Sequence, residues 1–263
     1  MNHLHPTQPA DAAPPPAWTD ADLADPHANP DKAERVRRMF AAIARSYDLN
    51  NRLHSFGRDQ AWRRYAVRAA GVRPGDAVLD VACGTGDLTL LLARTGAGRV
   101  VGLDFTPEML DLARVKSTRL DPSPAPEFIH GDAQNLPFDD ASFDAVSIAF
   151  GIRNVQQPER AVSEFARVLR PGGRLVILEF GRPPFAPVRW LNDFYCSWVM
   201  PRTATLISRD RSGAYRYLPR SIGSFMPREA MLGLLARSGF KDVSSRSLTF
   251  GVCVCYRAIR TGT

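Results

Sequence analysis

The sequence predicts an α/β fold built on a doubly wound, mostly parallel sheet with helices on both faces. Three observations predict it. Short apolar runs of the buried-strand type alternate with helix-like segments from residue 77 onward. The first run, Val78-Leu-Asp-Val81, passes into Ala82-Cys-Gly-Thr-Gly86 and a helix-like segment from Asp87, the strand, glycine turn and helix that open a nucleotide-binding sheet. Two final runs, near 242–249 and 251–259, are separated only by Phe250-Gly251, so they form a hairpin and the last strand is antiparallel.

The elements follow in order. A helix is expected from Pro30 to Tyr47, because Val36, Met39, Phe40, Ile43 and Tyr47 share one face. It reads either as a helix packed on the domain or as a basic amphipathic lid or membrane-facing helix, since Arg35, Arg38 and Arg45 decorate its other faces. A second helix holds Trp62, about 59–70. Strand 1 spans about 77–82 and its helix about 87–94. Strand 2 is Arg99–Asp104, and Thr106 as N-cap with Pro107 behind it starts the next helix. Strand 3 is Glu127–His130, strand 4 Phe143–Ala149, then a helix at about 157–169. Pro171-Gly-Gly173 turns the chain into strand 5, Arg174–Glu179. Residues 181–226, rich in aromatic residues, Pro and Arg, interrupt the rhythm and read as an inserted substrate cap before a helix at about 227–238.

Composition narrows the function classes. With 263 residues, 44% hydrophobic and 23% charged, the chain is an ordinary soluble domain with its own core. Its 34 Lys and Arg against 27 Asp and Glu give a net charge of +7, which we read as general; no nucleic-acid partner is expected. No run is long enough for a membrane-spanning helix, and the N-terminus lacks the pattern of a secretory signal. Residues 1–28 are Pro- and Ala-rich with no Lys or Arg, and read as a disordered, mildly acidic tail dispensable to the methodically patterned domain at 29–263. Cys83, Cys196, Cys253 and Cys255 form no C-x-x-C pattern, so no metal site is expected and reduced, cytoplasmic thiols are.

The glycine turn discriminates among nucleotides. Gly84-Thr-Gly86 lacks the third glycine of the dinucleotide fingerprint, and no Gly-Lys-Ser/Thr makes a P-loop. An acidic residue at a strand end followed by G-x-G-Asp resembles motif I of class I S-adenosylmethionine (SAM) methyltransferases, whose Rossmann-like, seven-stranded sheet also ends in an antiparallel strand. Ala82 replaces that motif's first glycine, which suffices if its φ is negative. Asp104, at the end of strand 2, can accept both ribose hydroxyls; Thr106 caps the helix and so leaves Asp104 free. Asp132 and Ala133, after strand 3, can meet the adenine edge. Gly84 and Gly86 admit the ligand to the backbone, Thr85 can bond the methionine portion, and Asp80 orients the loop or the cofactor ammonium.

Beyond strand 4 lies Phe150-Gly-Ile-Arg-Asn154 rather than the Asn/Asp-Pro-Pro-Tyr of amino-directed enzymes, and no cysteine stands where RNA cytosine-C5 enzymes need one. Tyr47-Asp-Leu-Asn-Asn51, Phe150-Gly-Ile-Arg-Asn-Val155, Arg167-Val-Leu-Arg-Pro-Gly-Gly-Arg174, Leu178-Glu-Phe180 and Tyr215-Arg-Tyr-Leu-Pro-Arg-Ser-Ile222 stand in order. Together with the glycine turn they resemble the ubiquinone/menaquinone biosynthesis C-methyltransferase family over about 33–260. The resemblance implies methyl transfer from SAM to a ring carbon of a prenylated quinol, demethylmenaquinol first among them. Ala149 departs from it, where relatives often carry a Ser touching SAM. Arg153 stays protonated and is a poor base, but it can stabilise a developing phenolate, and Asn154 can orient the same oxygen. Tyr47, Asp48, His54 and Tyr195 are weaker candidates for proton transfer or substrate contact. Peripheral contact with the inner face of the cell membrane is expected from such a substrate, as is a homodimer or a biosynthetic complex. The rival readings are a SAM methyltransferase acting on another small lipid or metabolite, and a catalytically silent SAM-binding scaffold.

Overall fold

The computed structural model describes residues 17–19, 21–208 and 212–262. A seven-stranded sheet in the order β3-β2-β1-β4-β5-β7-β6 forms its centre. Its strands are β1 (Ala77–Val81), β2 (Arg99–Asp104), β3 (Glu127–His130), β4 (Phe143–Ala149), β5 (Leu169–Phe180), β6 (Phe240–Leu248) and β7 (Cys253–Arg260). The first five run parallel, and β7 pairs antiparallel with both β5 and β6. Strand order reverses between β1 and β4, the switch point where open α/β sheets bind ligands at the carboxyl ends of their strands.

Side-chain alternation divides the core. Leu79 and Val81 of β1 join Val146 and Ile148 of β4 on one face, with Phe165 of α5 (Pro158–Val168) over them. Val78 and Ala145 face the other side, beneath Trp62 of α2 (Arg58–Ala70). Burial on both faces explains why these strands read as continuous apolar runs. The remaining helices that follow the parallel strands are α3 (Asp87–Ala93) and α4 (Pro107–Leu120).

Helix α1 (Lys32–His54) runs about two turns past the expected end at Tyr47. Nothing between Tyr47 and Ser55 breaks a helix; Gly57, at φ 72°, is where the chain can leave it, and its amide closes onto the carbonyl of Arg52 at 2.8 Å. The inserted segment is helical: α6 (Ala186–Phe194), a π-helical turn at Tyr195–Val199, α7 (Met200–Ser208) and α8 (Ala214–Ser224). Helix α9 (Arg228–Arg237) then returns the chain to β6.

Two expectations are corrected here. Residues 1–16 and 20 of the presumed disordered tail lie outside the described residues, but its second half is packed. Trp18 is fully buried and stacks on Tyr217 with ring centroids 4.5 Å apart; Leu23 is buried beside Val36, Met39 and Ile43 of α1. The composition of the stretch hides these two anchors, which suffice once α1 and α8 offer an apolar slot. Ala82 has φ 50°, not a negative value, so it adopts the left-handed conformation that glycine would take freely.

Candidate functional site

The carboxyl ends of β1, β2 and β3 form one wall of a narrow cleft, and α1 forms the other. Asp104 is the cleft's buried anion. Its Oδ2 accepts the Gly84 amide at 2.7 Å and its Oδ1 the Thr106 amide at 2.8 Å. Burial pushes its carboxyl pKa up, and these two amides pull it back. Contrary to expectation, Thr106 does not leave Asp104 free: it makes no side-chain cap bond to α4, and its amide is bound to Asp104. Each carboxylate oxygen nevertheless keeps a second lone pair. Asp132 and Ala133 line the same cleft, with Asp132 Oδ1 held by the Gln134 amide at 2.9 Å. Ala149 stands at the end of β4 in this wall.

Other members of the predicted set are turned elsewhere. Asp80 lines neither this cleft nor the larger cavity beside it; its two oxygens accept the hydroxyls of Thr89 at 2.6 Å and Ser147 at 2.8 Å, and burial raises its pKa to about 6. It ties α3, β1 and β4 together under the loop. Gly86 opens α3 at φ 81°, where a Cβ would meet Ala113 and Phe128 at 3.2–3.3 Å. The Thr85 hydroxyl donates to Asp48 at 2.6 Å, and Lys116 Nζ reaches both Asp48 and Asp87 at 2.6 Å. This cluster fastens α1 to the glycine loop and to α4, so Asp48 holds a helix and lines neither cavity.

The second cavity is much larger, about 670 Å³ against about 100 Å³ for the cleft. Its wall is chiefly apolar, from α1, α2, α6, the π-helical turn and α8. Phe40, Tyr47 and Phe150 line both spaces and form the partition between them. Phe40 and Tyr47 meet edge to face at 5.9 Å, and burial raises the Tyr47 phenol pKa. Tyr195 and His54 line the large cavity. Both His54 ring nitrogens are engaged, with the Asn50 carbonyl at 2.9 Å and Thr203 Oγ1 at 2.8 Å, and the Tyr195 hydroxyl donates to the His54 carbonyl at 3.2 Å.

Arg153 and Asn154 sit at the seam, on the 3₁₀ turn Ile152–Asn154 that follows β4. Arg153 faces the large cavity and Asn154 the cleft. Both are buried. Arg153 Nη1 donates to Glu179 at 2.7 Å and to the Phe150 carbonyl at 2.8 Å, and Nε reaches Ser221 Oγ at 3.4 Å. Its Nη2 makes no hydrogen bond among the described residues, leaving two N–H donors beside the cavity. Asn154 Oδ1 accepts the Tyr217 hydroxyl at 2.9 Å, and its amide nitrogen donates to the Phe150 carbonyl at 3.2 Å.

Sequence reasoning missed Glu179, Tyr217 and Lys116 as parts of this arrangement. Glu179 left a signal, since a lone carboxylate ends the apolar run Leu175–Leu178 at the carboxyl end of a central strand. Tyr217 stands within the family-like motif Tyr215–Ile222, which assigns it no role, and Lys116 left no signal, because its partners are far away in sequence.

Known proteins resemble the chain in both sequence and shape. The sequence pattern of the ubiE/COQ5 methyltransferase family matches residues 29–260. The ubiquinone/menaquinone biosynthesis C-methyltransferase UbiE of Geobacter sp. (strain M21) is 44% identical over 234 residues, covering 86% of this chain and 96% of its own length. The demethylmenaquinone methyltransferase of Thermus thermophilus is 47% identical over 219 residues, covering 83% and 98%. Among solved structures, a SAM-dependent methyltransferase of Thermotoga maritima, a possible histamine N-methyltransferase, shares the fold at a TM-score of 0.60 and 19% identity, over 86% of this chain and 100% of that one. Sheet order, glycine turn and matched sequence agree, and the chain belongs to the ubiE/COQ5 methyltransferase family.

Proposed function

We propose that this protein methylates a ring carbon of a prenylated quinol, demethylmenaquinol to menaquinol, with SAM as methyl donor. The observation that carries the reading is the shared partition: a narrow cleft with a buried carboxylate adjoins a large apolar cavity across Phe40, Tyr47 and Phe150. Asp104, Gly84, Asp132 and Ala133 suit the nucleoside portion of SAM, since Asp104 keeps two lone pairs for hydroxyls. At about 100 Å³ the cleft is below the usual size of a ligand site, so its walls must part to admit the cofactor. When bound, SAM supplies a methyl group on an electrophilic sulfonium. The chain's own part is to place the quinol ring at the partition and keep water out with Phe40 and Phe150. Arg153 Nη2 stabilises the phenolate that makes the ring carbon nucleophilic, and Asn154 orients the turn that holds it.

The quinol's tail belongs in the bilayer, and the entrance to the large cavity favours collection there. Phe56, Leu191 and Phe250 line the cavity and are exposed; Phe185, Trp190, Phe194, Trp198 and Leu206, on the same inserted segment as Leu191, are exposed too. Arg202 packs over Trp198 at 4.8 Å, adding a cation to the aromatic rim. We assign this face to the inner surface of the cell membrane. Among the described residues no helix is long and apolar enough to cross one. The sequence-based alternative, a membrane-facing α1, is corrected: Val36, Met39 and Ile43 are buried, and Arg35 pairs with Asp22 at 2.9 Å.

The test is turnover by the purified protein of SAM and demethylmenaquinol in phospholipid vesicles, followed by mass spectrometry. A methylated quinol is expected. SAM binding without turnover would favour the scaffold, and turnover of other lipids only would favour the other rival.

A further inference from the structure

The Arg153–Asn154 turn is braced from a direction that the family match does not include. That match begins at residue 29. The residues ahead of it cross α8 at two places. Trp18 stacks on Tyr217 at 4.5 Å with the planes 24° apart, and the Tyr217 hydroxyl is the donor to Asn154 Oδ1. One turn later on α8, His27 Nε2 donates to the Ser221 carbonyl at 2.9 Å, and Ser221 Oγ is the acceptor for Arg153 Nε. The segment thus touches the two α8 residues that hold the seam.

The segment is itself anchored to the parts it joins. The Ala17 carbonyl accepts Arg35 Nη1 at 2.9 Å, and the Asn29 carbonyl accepts Gln156 Nε2 at 3.0 Å, two residues beyond Asn154. Trp18 is fully buried, yet its indole N–H has no partner among the described residues. An unpaired buried donor weakens binding rather than helping it, so the contribution of Trp18 lies in its flat apolar surface against Tyr217.

We propose that this N-terminal strap, through Trp18 and His27, is a positioning element for Arg153 and Asn154, acting by way of Tyr217 and Ser221. The inference rests on the assignment of Arg153 and Asn154 to the reaction. Without the strap, the Tyr217 ring is free to rotate away, Asn154 loses its side-chain donor, and the turn carrying Arg153 loosens. A displacement of the turn by a fraction of an ångström lowers the rate while leaving the Asp104 cleft intact.

The test compares full-length Trp18→Ala and Trp18→Phe with the wild type, using SAM and demethylmenaquinol. Trp18→Ala should lower kcat about tenfold with SAM affinity, by calorimetry, within about twofold of wild type. Trp18→Phe, which keeps an aromatic ring on Tyr217 while losing the unpaired N–H and the second ring of the indole, should recover to within a few fold. Amide exchange at residues 152–155 should quicken in Trp18→Ala and not in Trp18→Phe. Adding Tyr217→Phe to Trp18→Ala should lower kcat little further, because the two act in series. Where Trp18→Ala melts below the assay temperature, Trp18→Leu fills more of the slot without the flat ring and takes its place. An unchanged kcat with only a lower melting temperature would overturn the proposal, as would a loss of SAM affinity as large as the loss of kcat. If the wild type turns over no quinol, the function assigned above fails, and the exchange at residues 152–155 still decides the strap.

Discussion

The methyl group of Ala82 occupies the space that a side chain at Gly151 would need: a Cβ built on Gly151 lies 2.5 Å from it. The two residues lie just past the carboxyl ends of adjacent strands, β1 and β4, at the switch point of the sheet. Ala82 is left-handed there, and Gly151 makes room for it. Ala82→Gly should therefore stabilise the fold by about 1 kcal/mol, the strain relieved less the added freedom of the unfolded chain. Gly151→Ala should destabilise by roughly 1–3 kcal/mol, and by clearly less in an Ala82→Gly background. Urea unfolding of the four proteins measures both; additive effects would mean that the contact is not the cause.

Asp104 offers a second test. Its oxygens each receive a backbone amide, so an Asn there must point its NH₂ at one of two N–H donors whichever way it flips. Both Asp104→Asn and Asp104→Ala should weaken SAM binding by roughly 2–4 kcal/mol in calorimetry. Unchanged affinity in Asp104→Ala would place the nucleoside elsewhere.

Arg153 and Glu179 should be separable in stability and joined in activity. Their ion pair is buried, at 2.7 Å. Arg153→Met leaves the Glu179 carboxylate buried without its cation and should cost roughly 3–5 kcal/mol of stability. Arg153→Met/Glu179→Gln should recover much of that in thermal melts and recover no turnover. A double variant that methylates quinol normally would remove Arg153 from the chemistry.

The exposed face predicts a lipid dependence. Trp190→Ser/Trp198→Ser changes two exposed rings and no core residue, so its melting temperature should stay within a few degrees of wild type. Its retention by anionic vesicles should fall, and its turnover of long-tailed quinol in vesicles should fall more than that of a short-tailed analogue in solution. Equal retention of the two proteins would separate this face from the membrane.

Acid should loosen the strap. Burial lowers the His27 pKa; the hydrogen bond to the Ser221 carbonyl opposes it most, Lys32 and Arg153 add repulsion, and Asp25 pulls the other way. A depressed pKa means that the folded form resists the proton, so the stability it carries is present above the unfolded value of about 6.5 and is lost as pH falls through the folded value. Melting temperature should drop more steeply below about pH 6.5 in wild type than in His27→Gln, which keeps a donor for Ser221 and cannot be charged. Parallel curves would exclude His27 as the cause.

Much of this was legible in the sequence where the signal is local. β2 spans Arg99–Asp104 as its apolar run and terminal carboxylate indicate, and Pro107 starts α4 as expected. The glycine turn and the carboxylate of Asp104 lie together because both are set by strand ends. What stayed hidden depends on tertiary pairing. Glu179 and Arg153 are 26 residues apart, Tyr217 and Asn154 63. Trp18 sits among prolines and aspartates whose average composition says disorder, while one indole in the right slot decides the packing. The φ of Ala82 follows from its two neighbouring strands, which no residue preference records.

The partition of Phe40, Tyr47 and Phe150 makes the two chambers poor neighbours in a statistical sense. A wall made of three side chains has few independent coordinates, and two of the three belong to one helix. Whatever fills the cleft sets the position of that helix, and with it the shape of the chamber beyond. The occupancies of the two spaces are then correlated variables, and the free energy of filling both differs from the sum of filling each. Because that difference is a property of the doubly filled state, the order of arrival cannot alter it: a tail that tightens the grip on the nucleoside is tightened by it to the same degree.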